Sequence, residues 1–400
     1  RTVESGIAFL LRQQRRDGSF AVPNTLEMYN HAIATLALAE AYAMTGEPAL
    51  RAPLEQAVAH IVRAQQPAGG WGYTSQFTLT RDDMSVTGWV MMAVTAASAS
   101  GVTVPEETIL GVAEFVAAST RPDGQVNYAF EGRDRIIHNA TGSTDPLYSP
   151  AMTGVGVLVR QLLGVRPDAP VLQQQASLLL ADPPDLARRR GGDRSEFHSD
   201  YYWYYGSLAL FNQGGVAWQQ WNASLVPALL ASQDRSVDFE GRPRCAHGSF
   251  TAFGYGWGKW GRAGGKVYAT ALGALMLESY YRHVPTWLSA SGLVTESTLR
   301  HALERPNVSR AQIVHLATYV APEVSERVLL DLLQDADAAI RLRAAIGLVH
   351  QGSPMGIEQL RAGLVTVTGA EREAVARAIA SAEAIRTPES YGAIVRVDAS

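Results

Sequence analysis

Residues 9–20 read FLLRQQRRDGSF, and residues 60–71 read HIVRAQQPAGGW. Laid over one another, the two share an apolar stretch (Phe9 and Leu10; Ile61), a glutamine (Gln14; Gln65), a glycine (Gly18; Gly69) and an aromatic (Phe20; Trp71). The offset is 51 residues. A worn copy follows at Phe115, Ser119 and Gly124, and a fragment at Leu229 to Gln233. Self-similarity at such a period is the mark of one supersecondary unit used repeatedly. A second helical stretch lies between successive copies, so the unit is a pair of helices.

Working outward, the pattern predicts outer helices near 3–14, 53–66, 106–119, 170–182 and 216–232. Their partners fall near 26–44, 83–99, 147–163, 199–213 and 265–283. The partners are apolar on nearly every side, as in AIATLALAEAYAM, VTGWVMMAVTAA and ATALGALMLESYY, whereas the outer set carries arginine and glutamine on one face. A helix that is greasy all round is buried on both flanks. Small residues such as Ala32, Ala34, Ala37, Ala269, Ala271, Gly273 and Ala274 let the axes of neighbours come close. Two helix sets of such different composition predict an all-α fold: an α/α toroid of five to six helical hairpins in concentric rings, over residues 1–287.

Beyond about residue 288 the aromatics thin out. VLLDLLQDADAAIRLRAAIGLVHQG reads as a HEAT-type helix pair with Asp335 and Asp337 in the turn. Further helices are expected near 295–304, 308–320 and 369–384, giving short HEAT-like repeats over 288–386 and a tail over 387–400. The bulk numbers agree with an ordinary folded chain of 400 residues, 47% hydrophobic and 18% charged. A net charge of −4 argues against a nucleic-acid or anionic-membrane partner. The single cysteine, Cys245, excludes an internal disulfide, and no apolar run reaches the ~18 residues of a membrane span. Because Arg1 already lies inside a helical pattern, a trimmed or processed N-terminus is expected.

Gln-x3-Gly-x-Trp behind an apolar pair, complete at Gln65 to Trp71, resembles the repeat of squalene and oxidosqualene cyclases. Prenyltransferase β subunits and the thioester domains of complement-like proteins are related toroids. The resemblance covers roughly residues 1–287 and implies the ring fold. In it the glutamine would tie one outer helix to the next, the glycine allow a tight turn and the tryptophan fill the seam. The cyclases protonate an alkene from an Asp-x-Asp-Asp-Thr motif. Here the string is Thr80-Arg81-Asp82-Asp83-Met84-Ser85, without the first aspartate, and Arg81 beside the pair is expected to favour ionised carboxylates. No zinc-type spacing surrounds Cys245 and His247, and a Cys-Gly-Glu-Gln string is absent.

In a toroid all inner helices run the same way, so their N-terminal ends gather at one rim. Those ends carry Tyr29, Asn30 and His31; Asp82, Asp83 and Ser85; Tyr148 and Ser149; His198, Asp200, Tyr201 and Tyr202; and Lys266 and Tyr268. Exposed backbone amides and helix dipoles point to the same place. The expected site therefore has Asp82 and Asp83 as its acid pair, with Tyr29, His31, Trp89, Tyr148, His198, Asp200, Tyr201, Tyr202, Tyr205, Tyr255, Trp257, Lys266 and Tyr268 around the cavity. Capping alone would also account for Asp82, Ser85, Ser199 and Asp200. A hydrogen-bonded histidine at a helix start is the plainer account of His31. His31, His198 and Asp83 or Asp200 could in principle be drawn together around a metal, yet neither metal nor cofactor is expected.

The run Tyr201-Tyr202-Trp203-Tyr204-Tyr205 would line a cation-stabilising wall in a cyclase, stack on sugars in a glycan enzyme, or fill the core of a structural ring. The aromatic loop from Asp234 to Gly265 is expected to fold over the rim, with Lys259, Arg262 and Lys266 suited to an anionic group. Asp185 to Arg194 reads as an exposed basic loop. Triplets at Asn139, Asn222 and Asn307 fit a glycosylation pattern that arises easily by chance. The leading expectation is a degenerate, non-catalytic ring that binds a protein segment or an apolar ligand. The rivals are an isoprenoid-processing enzyme using Asp82 and Asp83, and a glycan-active toroid using Asp83, Glu196 or Asp200.

Overall fold

A computed structural model describes residues 2–20, 27–75, 81–131, 135–137, 150–186, 200–237, 240–244, 247–250, 258–279, 293–304, 310–351 and 353–363. The chain divides into two compact units, one of residues 1–163 with 167–293, the other of 164–166 with 294–400.

In the first unit five helical hairpins follow in order among the described residues. They are α1 (Thr2–Gln13) with α2 (Glu27–Thr45), α3 (Pro48–Ala64) with α4 (Met84–Ala99), α5 (Glu106–Ala118) with α6 (Pro150–Leu163), α7 (Pro170–Leu180) with α8 (Asp200–Gln213), and α9 (Gly215–Ser232) with α10 (Gly258–Leu277). The even-numbered helices form the inner wall: α2 packs on α4, α4 on α6, α6 on α8, and α8 on α10. The odd-numbered helices back them, with α3 against α2 and α4, α7 against α6 and α8, and α9 against α7 and α8. This is an all-α fold of the α/α toroid kind. Every residue of α6 is buried and none of α1 is, which is the contrast the two compositions predict.

The glutamines make the hairpins one structure. Gln14 Nε2 donates to Gly18 O at 3.2 Å and to Pro53 O of α3 at 2.7 Å. Gln65 Nε2 repeats this one unit later, reaching Gly69 O at 2.8 Å and Thr108 O of α5 at 2.9 Å. Each amide thus closes its own turn and holds the next outer helix. Where the motif is worn and Thr120 stands four residues before Gly124 in the glutamine's place, the tie comes from the other side: Gln175 on α7 donates to Gly124 O at 2.9 Å. Gly69 has φ +98, and a β-carbon there would lie 2.0 Å from Gly111 O of α5, so only glycine fits. Trp71 is fully buried in the seam and donates from Nε1 to Ile61 O at 2.8 Å.

Several boundaries differ from the sequence reading. α3 starts at Pro48 rather than 53, because Glu47 caps it (3.3 Å to Ala49 N) and Pro48 takes the first helical position. Pro53 therefore sits a turn inside, with its carbonyl given to Gln14. Residues 81–83 are not helical but form β1 (Arg81–Asp83), paired antiparallel with β2 (Ala129–Glu131), which pairs with β3 (Arg135–Ile137). α10 is broken at Gly265, with φ 61 and ψ −154. Arg160, fully buried on α6, donates to four neutral oxygens: Gly156 O, Gln175 Oε1, Val116 O and Thr120 Oγ1. Burial lowers its pKa to about 10.

The second unit holds α11 (Glu296–Glu304), α12 (Arg310–Tyr319), α13 (Pro322–Leu332), α14 (Ala338–His350) and α15 (Pro354–Gly363), each packed on its neighbours. Asp337 caps α14 through Ala339 N at 2.8 Å, and Asp335 accepts from Asp337 N at 2.9 Å. The helix expected at 369–384 and the tail from 387 lie outside the described residues.

Candidate functional site

The site is built where α2, α4 and α8 begin. Residues 71–75 bridge the first two starts, since Trp71 O accepts from Asp83 N and Tyr73 O from Met28 N, both at 2.9 Å. β1 then delivers two carboxylates to opposite sides, as alternation along an extended chain requires. Asp83 turns inward and caps α4, accepting from Ser85 N at 2.9 Å and Val86 N at 3.4 Å. Ser85 Oγ donates to the same oxygen, and Tyr29 OH donates to Ser85 Oγ.

Around this core the phenols close ranks. Tyr128 hydrogen-bonds to both Ser85 and Tyr73. From the far wall, Tyr201 OH on α8 donates to Ser85 O at 3.2 Å, and it also bonds to Tyr29. Tyr201 in turn packs on Tyr205 with ring centroids 4.9 Å apart. Burial holds the phenols of Tyr29, Tyr201 and Tyr205 well above the usual tyrosine range. Neighbouring phenols push each of them further, as does the charge of Asp83 in the case of Tyr29. Tyr268 on α10 is raised by burial and then by Asp200. Asp200 is buried at the start of α8 and accepts from Tyr201 N at 3.0 Å.

Asp82 faces the repeat turn instead. Its Oδ2 accepts from Gly70 N at 3.1 Å, while Oδ1 is buried with no donor. Burial, and then the charge of Asp83, lifts its pKa to about 6 against the pull of the Gly70 amide. Desolvation rather than Arg81 dominates its acidity and makes Asp82 a weaker acid than a free aspartate.

Below the mouth the ring is crossed by its own side chains. Trp89 on α4 stacks on Tyr204 of α8 (5.4 Å, 17°) and meets Tyr205 edge-on at 6.0 Å. Tyr204 OH reaches Met92 Sδ at 3.8 Å. A β-carbon on Gly88 would come within 2.6 Å of Val155 and 3.1 Å of the Tyr205 hydroxyl, so α4, α6 and α8 meet tightly there.

Tyr29, Asp83, Tyr201, Tyr205 and Trp89 are brought together, with Asp200 and Tyr268 beside them. Others are not. His31 points to the first repeat turn: Nδ1 accepts from Phe20 N at 3.2 Å, and Nε2 donates to Ala57 O at 3.0 Å. Its ring lies edge-on to His60 at 4.6 Å. Burial, and then His60, lowers its pKa to about 4, which fits a neutral structural histidine. Tyr202 faces the outer layer, donating to Leu179 O and Asp182 O and meeting Trp221 edge-on. Lys266 is half exposed and 3.9 Å from Asp234, so it is a surface ion pair rather than an anion clamp. Tyr148, Glu196, His198, Cys245, Tyr255 and Trp257 lie outside the described residues. Among the described residues no group of three or more His, Cys, Asp or Glu could hold a metal.

Sequence reasoning passed over Tyr73 and Tyr128. Both stand four residues after a motif glycine, Gly69 and Gly124, so the repeat offset itself marked them. Tyr204 was named only as part of the aromatic run and not singled out for the cavity, because a continuous run does not show which ring faces α4.

No protein-family model and no curated protein matches this chain. Among solved structures it is similar to a variant of the type II terpene cyclase MstE from Scytonema, in complex with geranylgeranyl dihydroxybenzoate. The identity is 16% and the TM-score 0.31, over 58% of this chain and 78% of that one. At that score the likeness bears on no residue of the mouth. No helix among the described residues is long and apolar enough to cross a membrane.

Proposed function

We propose that the ring is a non-catalytic binding or assembly module rather than a reaction vessel. The observation that supports this reading is the aromatic packing between α4 and α8, where Trp89 stacks on Tyr204 and meets Tyr205 edge-on and Tyr204 reaches Met92, together with the hydrogen bonds that the mouth hydroxyls of Tyr29, Ser85, Tyr128 and Tyr201 make with one another. Aromatic side chains that stack across a ring are filling it, and stacked pairs stabilise by roughly 0.5–1.5 kcal/mol beyond their burial. The second unit, with the helix pairs read as HEAT-like, offers a further protein-contact surface on this reading.

One observation favours a second reading. Asp82 is a buried carboxyl with a pKa of about 6 and a free oxygen, which is the form a general acid takes. The two separate in one experiment. The protein is incubated with squalene and with prenyl diphosphates, and extracts are searched for cyclised product. The binding-module reading expects none. Cyclised product that disappears in Asp82→Asn, while the fold is retained, overturns it and establishes the acid.

A further inference from the structure

The amide two residues after a motif glycine is answered by a side chain of the inner helix. Trp71 N donates to Thr87 Oγ1 of α4 at 3.2 Å, Val126 N to Thr153 Oγ1 of α6 at 3.3 Å, and Phe250 N to Thr270 Oγ1 of α10 at 3.1 Å. The first repeat departs from threonine. There Phe20 N donates to His31 Nδ1 of α2 at 3.2 Å, and the two rings stack with centroids 5.8 Å apart. A hydroxyl accepts whatever the pH, whereas a ring nitrogen accepts only while it carries no proton. A titrating joint thus stands where three other turns have a non-titrating one.

The surroundings make protonation disruptive. His31 Nε2 already donates to Ala57 O, so a further proton on Nδ1 would set N–H against the N–H of Phe20. His60 of α3 lies edge-on at 4.6 Å, donates to the backbone of Asp17, and keeps Nε2 buried without a partner. The charged groups facing this pair are Asp17 of the turn, with Arg15 beside it, Arg63 of α3 and Glu27 of α2. Both carboxylates are committed elsewhere, Asp17 to Ser19 N at 3.0 Å and Glu27 to Ser75 Oγ at 2.7 Å. Arg63 is spent on Asp17 O at 2.7 Å, and α4, on the other flank of α2, carries no titratable side chain.

We infer that His31 and His60 form an acid-responsive latch on the first hairpin: protonation of His31 breaks its bond to Phe20 and releases the 14–20 turn, with α1, from the rest of the unit. α1 leaves at little cost. It buries no residue and is held by partly buried Ile7, Leu10 and Leu11 and by the Gln14 tie. Once Phe20 has moved away, His31 meets water as an ordinary imidazole. Its depression to about 4 in the closed form then sets the response, and for His31 alone the open population rises roughly 70-fold between pH 7.5 and pH 4.5. His60, also held down by burial, adds to that rise. The latch stands whether or not the mouth is catalytic.

Hydrogen exchange of the full chain from pH 7.5 to pH 4.5, corrected for the intrinsic rate of each peptide, tests it. Residues 2–20 should lose protection by at least about 50-fold over that range, while α6 stays far better protected at every pH. His31→Gln, whose amide can accept from Phe20 and donate to Ala57 without titrating, should cut that loss by about tenfold or more. His31→Thr, which installs the side chain of the other three turns, should do the same. The readout is a pH dependence, so a general weakening of either variant does not imitate it. Protection of residues 2–20 that is flat with pH in the parent overturns the proposal, as does a loss that either variant keeps. Exchange of residues 2–20 and α6 together at pH 4.5 also overturns it, because that is unfolding of the whole unit.

Discussion

Asp82 and His31 are buried groups with opposite proton economies. The Asp82 carboxyl is raised from 3.8 to about 6, so the fold favours its protonated form, and ionising it above pH 6 costs up to about 3 kcal/mol at ~1.4 kcal/mol per unit. His31 is lowered from 6.5 to about 4, so the unfolded chain binds its proton first and stability is lost as pH falls from 6.5 toward 4. Between pH 4 and 6 the two trends oppose one another. Asp82→Asn should therefore stabilise the protein by about 1–3 kcal/mol at pH 8 and by almost nothing at pH 4. His31→Gln should flatten the loss below pH 6.5. Urea melts of the parent and both variants across this range check the signs, and a parent profile unmoved by either substitution would refute both assignments. The structural role of His31 was legible as the plainer account of a histidine at a helix start, although its place at the head of an inner helix also put it among the rim candidates. The raised pKa of Asp82 was not legible, because Arg81 beside the aspartate pair pointed the other way. What decides each is the direction of one side chain, which depends on a three-residue strand and on the turn of another repeat.

At the scale of the element, the glutamine tie explains why the motif recurs while the helices around it drift. Gln65→Ala would leave Thr108 O and Gly69 O without their donor, a loss of about 1–3 kcal/mol. Gly69→Ala should cost more, because it meets both the positive φ and the carbonyl of Gly111, and about 3–5 kcal/mol is the expected range for a strained, overpacked site. Chemical denaturation of the two variants ranks them; equal midpoints would mean that the turn gives way freely. Helix existence was plain from composition here, since apolar inner helices and arginine-bearing outer ones differ over their full length. The exceptions have local causes. Pro53 looked like a helix start because proline suits the first turn, yet Pro48 held that role. The β1–β2–β3 sheet left no mark because three-residue strands are too short to display a period. The tie at the third copy was unreadable because its donor, Gln175, comes from the following outer helix rather than from the motif itself.

Across the whole first unit, stability should be graded. α1 has no buried residue and is held chiefly by Gln14 and by partly buried Ile7, Leu10 and Leu11, whereas α4 and α6 are enclosed. Native-state hydrogen exchange should find α1 opening first and α4 and α6 last, separated by at least ~2 kcal/mol of opening free energy, as terminal elements of repeat arrays behave. Uniform protection from α1 to α8 would contradict that gradient. The link from Tyr201 to Ser85 has its own consequence. Its partners stand 116 positions apart. On a ribosome adding roughly 5–20 residues per second, the aspartate–serine cluster at the head of α4 waits roughly 6–23 s for the tyrosine that covers it. Until then the nascent chain carries an open, half-satisfied pocket, and that interval is when a chaperone or an adventitious ligand has its best access to the ring.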